Sequence, residues 1–315
     1  MVMPQLKKPA DWAWLDGEFV PWEDCKVHVR TSCVIHGENV FEGIRAYWSE
    51  DRQNLFVFRL RDHMERLYHC SMKVMRMQVP WSLEEVEAAC LELLRRNGFR
   101  EHVHFRPTAY FGLGEPFAFS SEAVYTGMFI TAGPMPRKPA VVQGIQCCVS
   151  SWTRTRDNCM PPRVKAAPNY HNGRLGMYEA RVNGYDLPLF LNEAGRVTES
   201  AGACLFLVRR GRLVTPPVTD GILESITRET VIELARRELQ VETVEREVGR
   251  TELYVADEAF LCGTAAEILP VVGVDRYPVG QGKVGPITQK VQRLYFDIVE
   301  GKEPRYGQWL TPVYP

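Results

Sequence analysis

Several classes of protein are excluded by what this chain lacks. No two of its nine cysteines stand in a Cys-x-x-Cys spacing, and Cys90, Cys147, Cys148 and Cys204 lie in apolar runs. An odd set of thiols in such surroundings argues against a disulfide framework and a zinc site, and for a reducing compartment. The expectation is a cytoplasmic protein without a metal. No uncharged stretch reaches the ~18 apolar residues of a membrane span, and Met1 to Trp14 contains no apolar run of the signal-peptide kind. Neither sign of charge is in excess, with 38 Lys+Arg against 39 Asp+Glu and a net charge of −1. Composition therefore provides no attraction for nucleic acid or an anionic membrane. Internal repeats and low-complexity segments are missing too. What remains is ordinary globular usage, 45% hydrophobic and 24% charged, and small-molecule chemistry as the default.

A length of 315 residues implies two domains, because single cores stop growing near ~250–300 residues. In the first half, Leu55–Phe58 reads as a buried strand, followed by Leu60, Met64, Leu67, Ser71 and Val74 at helical spacing. Ser82 with Glu85 forms a capping box ahead of a helix that ends at Asn97-Gly98, and Val103–Arg106 and Tyr125–Thr131 read as strands. This half is α+β. The proline cluster Gly133 to Pro139 separates two apolar strands and marks the boundary. The expected division is a small N-terminal domain over 1–133, a loop over 134–141 and a larger domain over 142–315. In the second half, Ile145–Ser150 is a strand, and hairpins turn at Asn192–Gly195 and at Arg210-Gly211. Helices are expected from Ser225 to about Leu239 and after Gly285-Pro286.

Two residues suggest chemistry. Lys165, in Val164-Lys165-Ala166-Ala167-Pro168-Asn169-Tyr170, lies among apolar and small residues. Desolvation there favours the neutral amine that Schiff-base formation needs. Glu199 stands at a strand end before Ser200-Ala201-Gly202-Ala203, small residues that let a flat ring approach the backbone. An amine of this kind and an acid able to hold a pyridine nitrogen protonated are what a pyridoxal phosphate enzyme asks of its protein. Ser225-Ile226-Thr227 opens a helix and Thr264-Ala265-Ala266 follows an apolar strand, so both offer N–H groups and hydroxyls to a phosphate. Arg66 offers a fixed positive charge. Taken singly, each of these residues has an ordinary solvated or capping role.

Together they carry a resemblance. From about Trp14 to Leu310 the chain resembles the branched-chain aminotransferase branch of the fold-type IV pyridoxal phosphate enzymes. The segments that carry it are Val40–Tyr47, Asp62–Leu67, Phe105-Arg106-Pro107, Lys165–Tyr170, Glu179-Ala180, Ile226-Thr227-Arg228 and Gly263–Glu267, in family order. The resemblance implies a two-domain mixed α/β (α+β) architecture with pyridoxal 5'-phosphate in the interdomain cleft, assembled as a homodimer. It implies that Lys165 forms the Schiff base and moves the proton, that Glu199 partners the ring nitrogen, and that Tyr170 lies near the phenolate oxygen. Arg66, Ser225, Ile226, Thr227 and Thr264 would hold the phosphate. His36, Phe41, Arg45, His104, Arg106, Met135, Ala265 and Ala266 would face amino acid and keto acid substrates. The implied activity is a ping-pong transamination. A D-amino acid or (R)-amine transaminase on the same fold, a more remote aminodeoxychorismate lyase, and a non-catalytic binding module stand as alternatives.

The chain departs from the family pattern at several positions. His36 and His104 replace tyrosines, and the interdomain segment reads Pro134-Met135-Pro136 where aromatics are common. Fewer aromatic walls weaken selection for plain aliphatic side chains. Two imidazoles beside Arg106 would suit a second carboxylate, a phosphate or a polar side chain as well as they would suit packing. Cys204 replaces the usual asparagine behind the ring, and Glu224-Ser225 replaces Pro-Gly. The expectation is that both side chains, Cys204 and Glu224, turn to solvent or to their own loop while the backbone cradle persists.

Overall fold

The computed structural model describes residues 8–114 and 124–315, so part of the Met1–Trp14 stretch lies outside the described residues. The chain divides into two units. One runs through Pro136 and takes in Val299–Pro315, and the other spans Arg137–Ile298.

The first unit contains β1 (Trp12–Leu15), β2 (Glu18–Pro21), α1 (Ser32–Ile35), β3 (Asn39–Phe41), β4 (Ile44–Ser49), β5 (Asn54–Phe58), α2 (Leu60–Arg66), α3 (Leu83–Asn97), β6 (Val103–Gly114) and β7 (Val124–Pro134). Among the described residues its strands form an eight-stranded sheet in the order Leu310–Pro312, β5, β4, β6, β7, β1, β2, with β3 also on β6. Sequence reasoning had placed all of 142–315 in the second domain. The last segment instead returns to the first unit, because Leu310–Pro312 pairs antiparallel with Phe56–Phe58 and adds an edge strand.

β3 and β4 follow one line along β6, interrupted at Glu42-Gly43. The interruption has a chemical cause. Glu42 N–H donates to the carbonyl of Pro107 at 2.9 Å, and Pro107 has no N–H to donate back. Strand alternation then sets Val40, Glu42 and Ile44 on one face and Phe41, Gly43 and Arg45 on the other. α2 continues as a wider π-helical stretch over Leu67–Met72, and α3 starts on the expected capping box. Glu85 N–H donates to Ser82 Oγ at 3.2 Å, and Ser82 N–H donates to Glu85 Oε2 at 2.7 Å. α3 ends at Gly98, whose φ of +62° only glycine adopts without cost.

The second unit contains α4 (Ala140–Gln143), β8 (Ile145–Thr153), α5 (Asn169–Val182), β9 (Leu187–Leu191), β10 (Val197–Ser200), β11 (Cys204–Arg209), β12 (Arg212–Thr215), α6 (Ile226–Arg237), β13 (Thr243–Glu245), β14 (Glu258–Gly263), β15 (Glu267–Val274), β16 (Tyr277–Pro278) and α7 (Pro286–Val299). The main path of its sheet is β10-β9-β8-β15-β14-β11-β12-β13, and β10 also pairs β11. That extra pairing closes six strands into a ring, at the single register pair Glu199–Cys204. Leu189, Val197, Leu205, Leu261 and Val271 belong to the buried apolar cluster of this unit. Both expected hairpins form, and α6 and α7 begin where the capping and proline signals put them.

α5 was not read from the sequence. The side it buries consists of Asn169, Gly173, Gly176 and Ala180, so the helix has no large apolar stripe to display a period. Its glycines serve close approach. A Cβ on Gly176 would lie 2.5 Å from Phe190 Cζ, and one on Gly173 would lie 2.8 Å from the carbonyl oxygen of Ala201.

Candidate active site

Lys165 sits at the apex of a short turn closed by Ala166 N–H donating to Val164 O at 2.8 Å. Asn169 clamps that loop from the start of α5. Its Nδ2 donates to Pro161 O at 3.1 Å and to Val164 O at 2.9 Å, and the residue itself is buried. The next residue, Tyr170, presents its hydroxyl to the lysine, with Nζ donating to Oη at 2.8 Å. Asparagine and tyrosine thus set the direction of an otherwise flexible four-carbon side chain.

Glu199 closes the hairpin between β10 and β11. It is 3% exposed, a burial that a carboxylate tolerates only with compensation. Arg154, also buried, donates from Nη2 to Oε1 at 2.6 Å. The N–H of Leu223 reaches Oε1 and Oε2 at 3.4 Å each, and Cys204 Sγ stands 3.6 Å from Oε2. Cross-strand pairing explains the thiol's place, because residues in register share a face. Burial first, and the Glu199 charge second, push the Cys204 thiol far above its ordinary range, so it remains a protonated donor.

The small residues after Glu199 serve mainly as a seat for neighbouring elements. Gly173 of α5 packs on Ala201, an added Cβ at Gly202 would lie 3.6 Å from Tyr170 Cε1, and one at Gly263 would lie 3.2 Å from Gly202 O. Tyr170, which receives the Lys165 amine, therefore lies against the turn that Glu199 closes, and Gly263 at the end of β14 lies against the same turn, with Thr264, Ala265 and Ala266 next in the chain. Ser225 caps α6 by accepting from Arg228 N–H at 3.3 Å, and Ile226 and Thr227 follow it as buried residues. Arg228 is fully committed to the fold, bound to Thr215 Oγ1, Pro216 O and Glu245.

The two departures behind the ring behave differently. Glu224 is half exposed and turns to solvent as expected, pairing with Arg163 of the loop before Lys165 at 3.1 Å. Cys204 does not. It is buried against Glu199 and lies 3.7 Å from Leu223 O, because the hairpin register dictates its face.

In the first unit, Arg66 grips Glu42 with both ends of its fork, Nε to Oε1 and Nη2 to Oε2 at 2.7 Å each. His63 Nδ1 stands 2.8 Å from Glu42 Oε2. Burial alone would push the Glu42 carboxyl up, but the charges and hydrogen bonds of Arg66 and His63 outweigh it and hold the group well below the carboxylate range. On the opposite face, the Arg106 guanidinium lies 3.4 Å from the centre of the Phe41 ring, and His104 Nε2 would be 2.9 Å from a Cβ on Gly43. Arg45 is buried and donates to Met135 O at 2.6 Å. Phe41, Arg45, His104, Arg106 and Met135 are thereby brought together, whereas His36 ends α1 in an exposed position.

The second unit's residues suit pyridoxal phosphate. They include a lysine amine held by a tyrosine hydroxyl, a buried carboxylate with one weakly engaged oxygen, a turn of small residues packed closely on Tyr170 and Gly263, and a 12-residue helix opening at Ser225. Sequence reasoning missed Arg154, His63, and the roles of Glu42 and Leu223 N–H. The one usable signal was that a buried Glu199 requires a counter-charge, but nothing in the chain marks a partner 45 positions away.

Comparison with known proteins agrees with this chemistry. Residues 39–274 match the family model described as Amino-transferase class IV. The chain is similar to the probable branched-chain-amino-acid aminotransferase of Aquifex aeolicus, 41% identical over 309 residues that cover 96% of this chain and 97% of that protein. Among solved structures it is similar to the branched-chain amino acid aminotransferase from Thermobaculum terrenum in its PLP form, with a TM-score of 0.92, 44% identity, and coverage of 98% and 99%. The branched-chain aminotransferase from Thermoproteus uzoniensis with norvaline gives a TM-score of 0.91, 44% identity, and coverage of 97% and 100%.

Proposed function

We infer substrate, residue roles and assembly from one premise: the chain belongs to the class IV aminotransferase family and is a pyridoxal phosphate-dependent aminotransferase. The reaction we assign moves an amino group between a branched-chain or related L-amino acid and a 2-keto acid. Glutamate and 2-oxoglutarate form the second pair, in two half-reactions that alternate at one site. Proteins similar to this chain carry the branched-chain designation, and one of them was solved with norvaline, an unbranched relative of valine. A homodimer in the cytoplasm is the proposed setting, supported by nine free cysteines and by the family.

When bound, pyridoxal phosphate supplies the electron sink for charge leaving the substrate α-carbon. The roles of the chain's own groups follow from their surroundings. Lys165 Nζ would hold the carbonyl carbon of the cofactor and would serve as the single base that carries the proton at the substrate α-carbon. Tyr170 Oη accepts from Nζ and keeps it aimed. Glu199, held by Arg154 on Oε1, would partner the ring nitrogen. Ser225, Ile226, Thr227 and Thr264 offer N–H and hydroxyl donors to the phosphate, and Arg66, steadied by Glu42, adds charge. Phe41, Arg45, His104, Arg106, Met135, Ala265 and Ala266 face the substrate.

The observation that carries this reading is the Lys165–Tyr170 contact, with Tyr170 packed against the turn that Glu199 closes. The test is a half-reaction screen, in which L-leucine, L-isoleucine, L-valine, L-glutamate, D-alanine and an (R)-amine are each added to the pyridoxal form. The visible band should bleach fastest with the L-branched-chain acids, and Lys165→Ala should abolish both band and bleaching. Bleaching by the D-acid or the (R)-amine alone overturns the substrate assignment. Wild-type turnover in Lys165→Ala overturns the mechanism.

A further inference from the structure

The carboxylate of Glu199 is held unevenly, and the unevenness has a chemical use. Oε1 receives the guanidinium of Arg154 at 2.6 Å, a charge-assisted contact. Oε2 receives only a thiol at 3.6 Å and a shared amide at 3.4 Å. A thiol is a weak donor, so most of the accepting capacity of Oε2 remains available. Arg154 is in turn fixed by its Nε, which donates to Gly221 O at 3.4 Å, and Cys204 by its register opposite Glu199. The arrangement thus anchors one oxygen and keeps the other lightly bonded.

We propose that Arg154 and Cys204 are positioning residues that divide the two oxygens of Glu199: Arg154 anchors Oε1, and the thiol of Cys204 leaves Oε2 to accept the N–H of the protonated ring nitrogen. This inference rests on the assignment of Glu199 to that nitrogen. A hydroxyl or amide at position 204 would donate more strongly to Oε2 and compete with the ring N–H. Loss of Arg154 would leave the buried carboxylate unanchored on Oε1 and without its counter-charge, and so weaken its hold on the ring's charge. A full positive charge on the ring would make Lys165 Nζ, once joined to the conjugated system, easier to deprotonate. Weakening that charge therefore raises the midpoint at which the visible band titrates.

The experiment is a pH titration of the visible band of the cofactor-loaded wild type, Cys204→Ser, Cys204→Ala, Arg154→Gln, Arg154→Lys and Glu199→Gln, with bound cofactor counted in each. Cys204→Ser, nearly isosteric but a stronger donor, should raise the midpoint by about half a unit to one unit and slow the half-reaction at saturating amino acid by roughly threefold to tenfold. Cys204→Ala, which removes the donor, should move the midpoint the other way, by a few tenths. A role in packing predicts a different order, since Ala loses volume and Ser keeps it. Arg154→Gln should raise the midpoint, and Arg154→Lys should recover part of the change. The two Cys204 variants decide the matter even where Arg154→Gln does not fold. If Glu199→Gln shifts the midpoint while Ser and Ala at 204 move it together or not at all, the division of the oxygens is wrong and the Glu199 assignment stands. An unshifted Glu199→Gln removes that assignment, and this inference with it.

Discussion

Replacing Glu42 with Gln removes one buried charge and leaves two donors facing the place where it stood. Glu42 is 0% exposed, with Arg66 on both oxygens at 2.7 Å and His63 at 2.8 Å. Hydrogen bonds to charged groups contribute ~1.5–3 kcal/mol each, but bonds to one carboxylate are not additive. Breaking a buried ion pair from one side costs ~3–5 kcal/mol, because the surviving charge is left uncompensated. Gln retains one accepting oxygen, so a loss of about 3 kcal/mol is expected, a large part of a total of ~5–15 kcal/mol. The assay is equilibrium denaturation at pH 7 of the cofactor-free protein, following the first transition because two units need not unfold together. Adding Arg66→Met should cost less than the sum of the single changes by at least about 1 kcal/mol. The gap between wild type and Glu42→Gln should also depend on pH. The folded Glu42 pKa lies below its ordinary value of 4.5, so its stabilisation is complete above that value. It is lost as pH falls through 4.5 toward the folded pKa, as protons bind the unfolded chain first. A loss under about 1 kcal/mol at pH 7, or a gap that widens on acidification, would refute the reasoning.

Three further outcomes can be checked independently. Ser82→Ala removes one half of the capping box of α3 and should cost about 1 kcal/mol in the same denaturation experiment, whereas Ser82→Gly should cost a few tenths. Gly173→Ala and Gly176→Ala both crowd α5, but only the first presses on the backbone of the turn at Ala201. Gly173→Ala should therefore weaken cofactor uptake, measured by reconstitution, while Gly176→Ala lowers stability alone. Cys159 is the exposed thiol, while burial pushes Cys148 up to about 11 and Cys262 up to about 12. A thiol reagent on the folded protein near pH 8 should react first at Cys159, ahead of the partly buried Cys25, Cys33 and Cys70, and Cys159→Ser should remove that first phase.

The strands and helices that were legible in the sequence share one property, a local signal that matches what the tertiary structure demands. The hairpin turns at Asn192–Gly195 and Arg210-Gly211, the capping box at Ser82 and the proline start of α7 all depend on residues within a few positions of one another. α5 escaped because its buried side is made of glycine, alanine and asparagine, and no hydrophobic period records a helix selected for closeness. The return of Leu310–Pro312 to β5 escaped because strand pairing across the whole chain leaves no local mark.

The same division runs through the site. Lys165 and Glu199 stood out in the sequence because their neighbours are small or apolar and their chemical types suit one cofactor. Seven segments in order added the family. What tertiary structure alone decided was the environment of each charge: Arg154 on Oε1 of Glu199, Cys204 on Oε2, and Glu42 between Arg66 and His63. A buried charge fixes the need for a partner but not its address, since Coulomb attraction acts through space while the chain is read along its length. Residue types could therefore say which chemistry this protein performs. Only the folded chain could say which oxygen of Glu199 is anchored and which is left to accept.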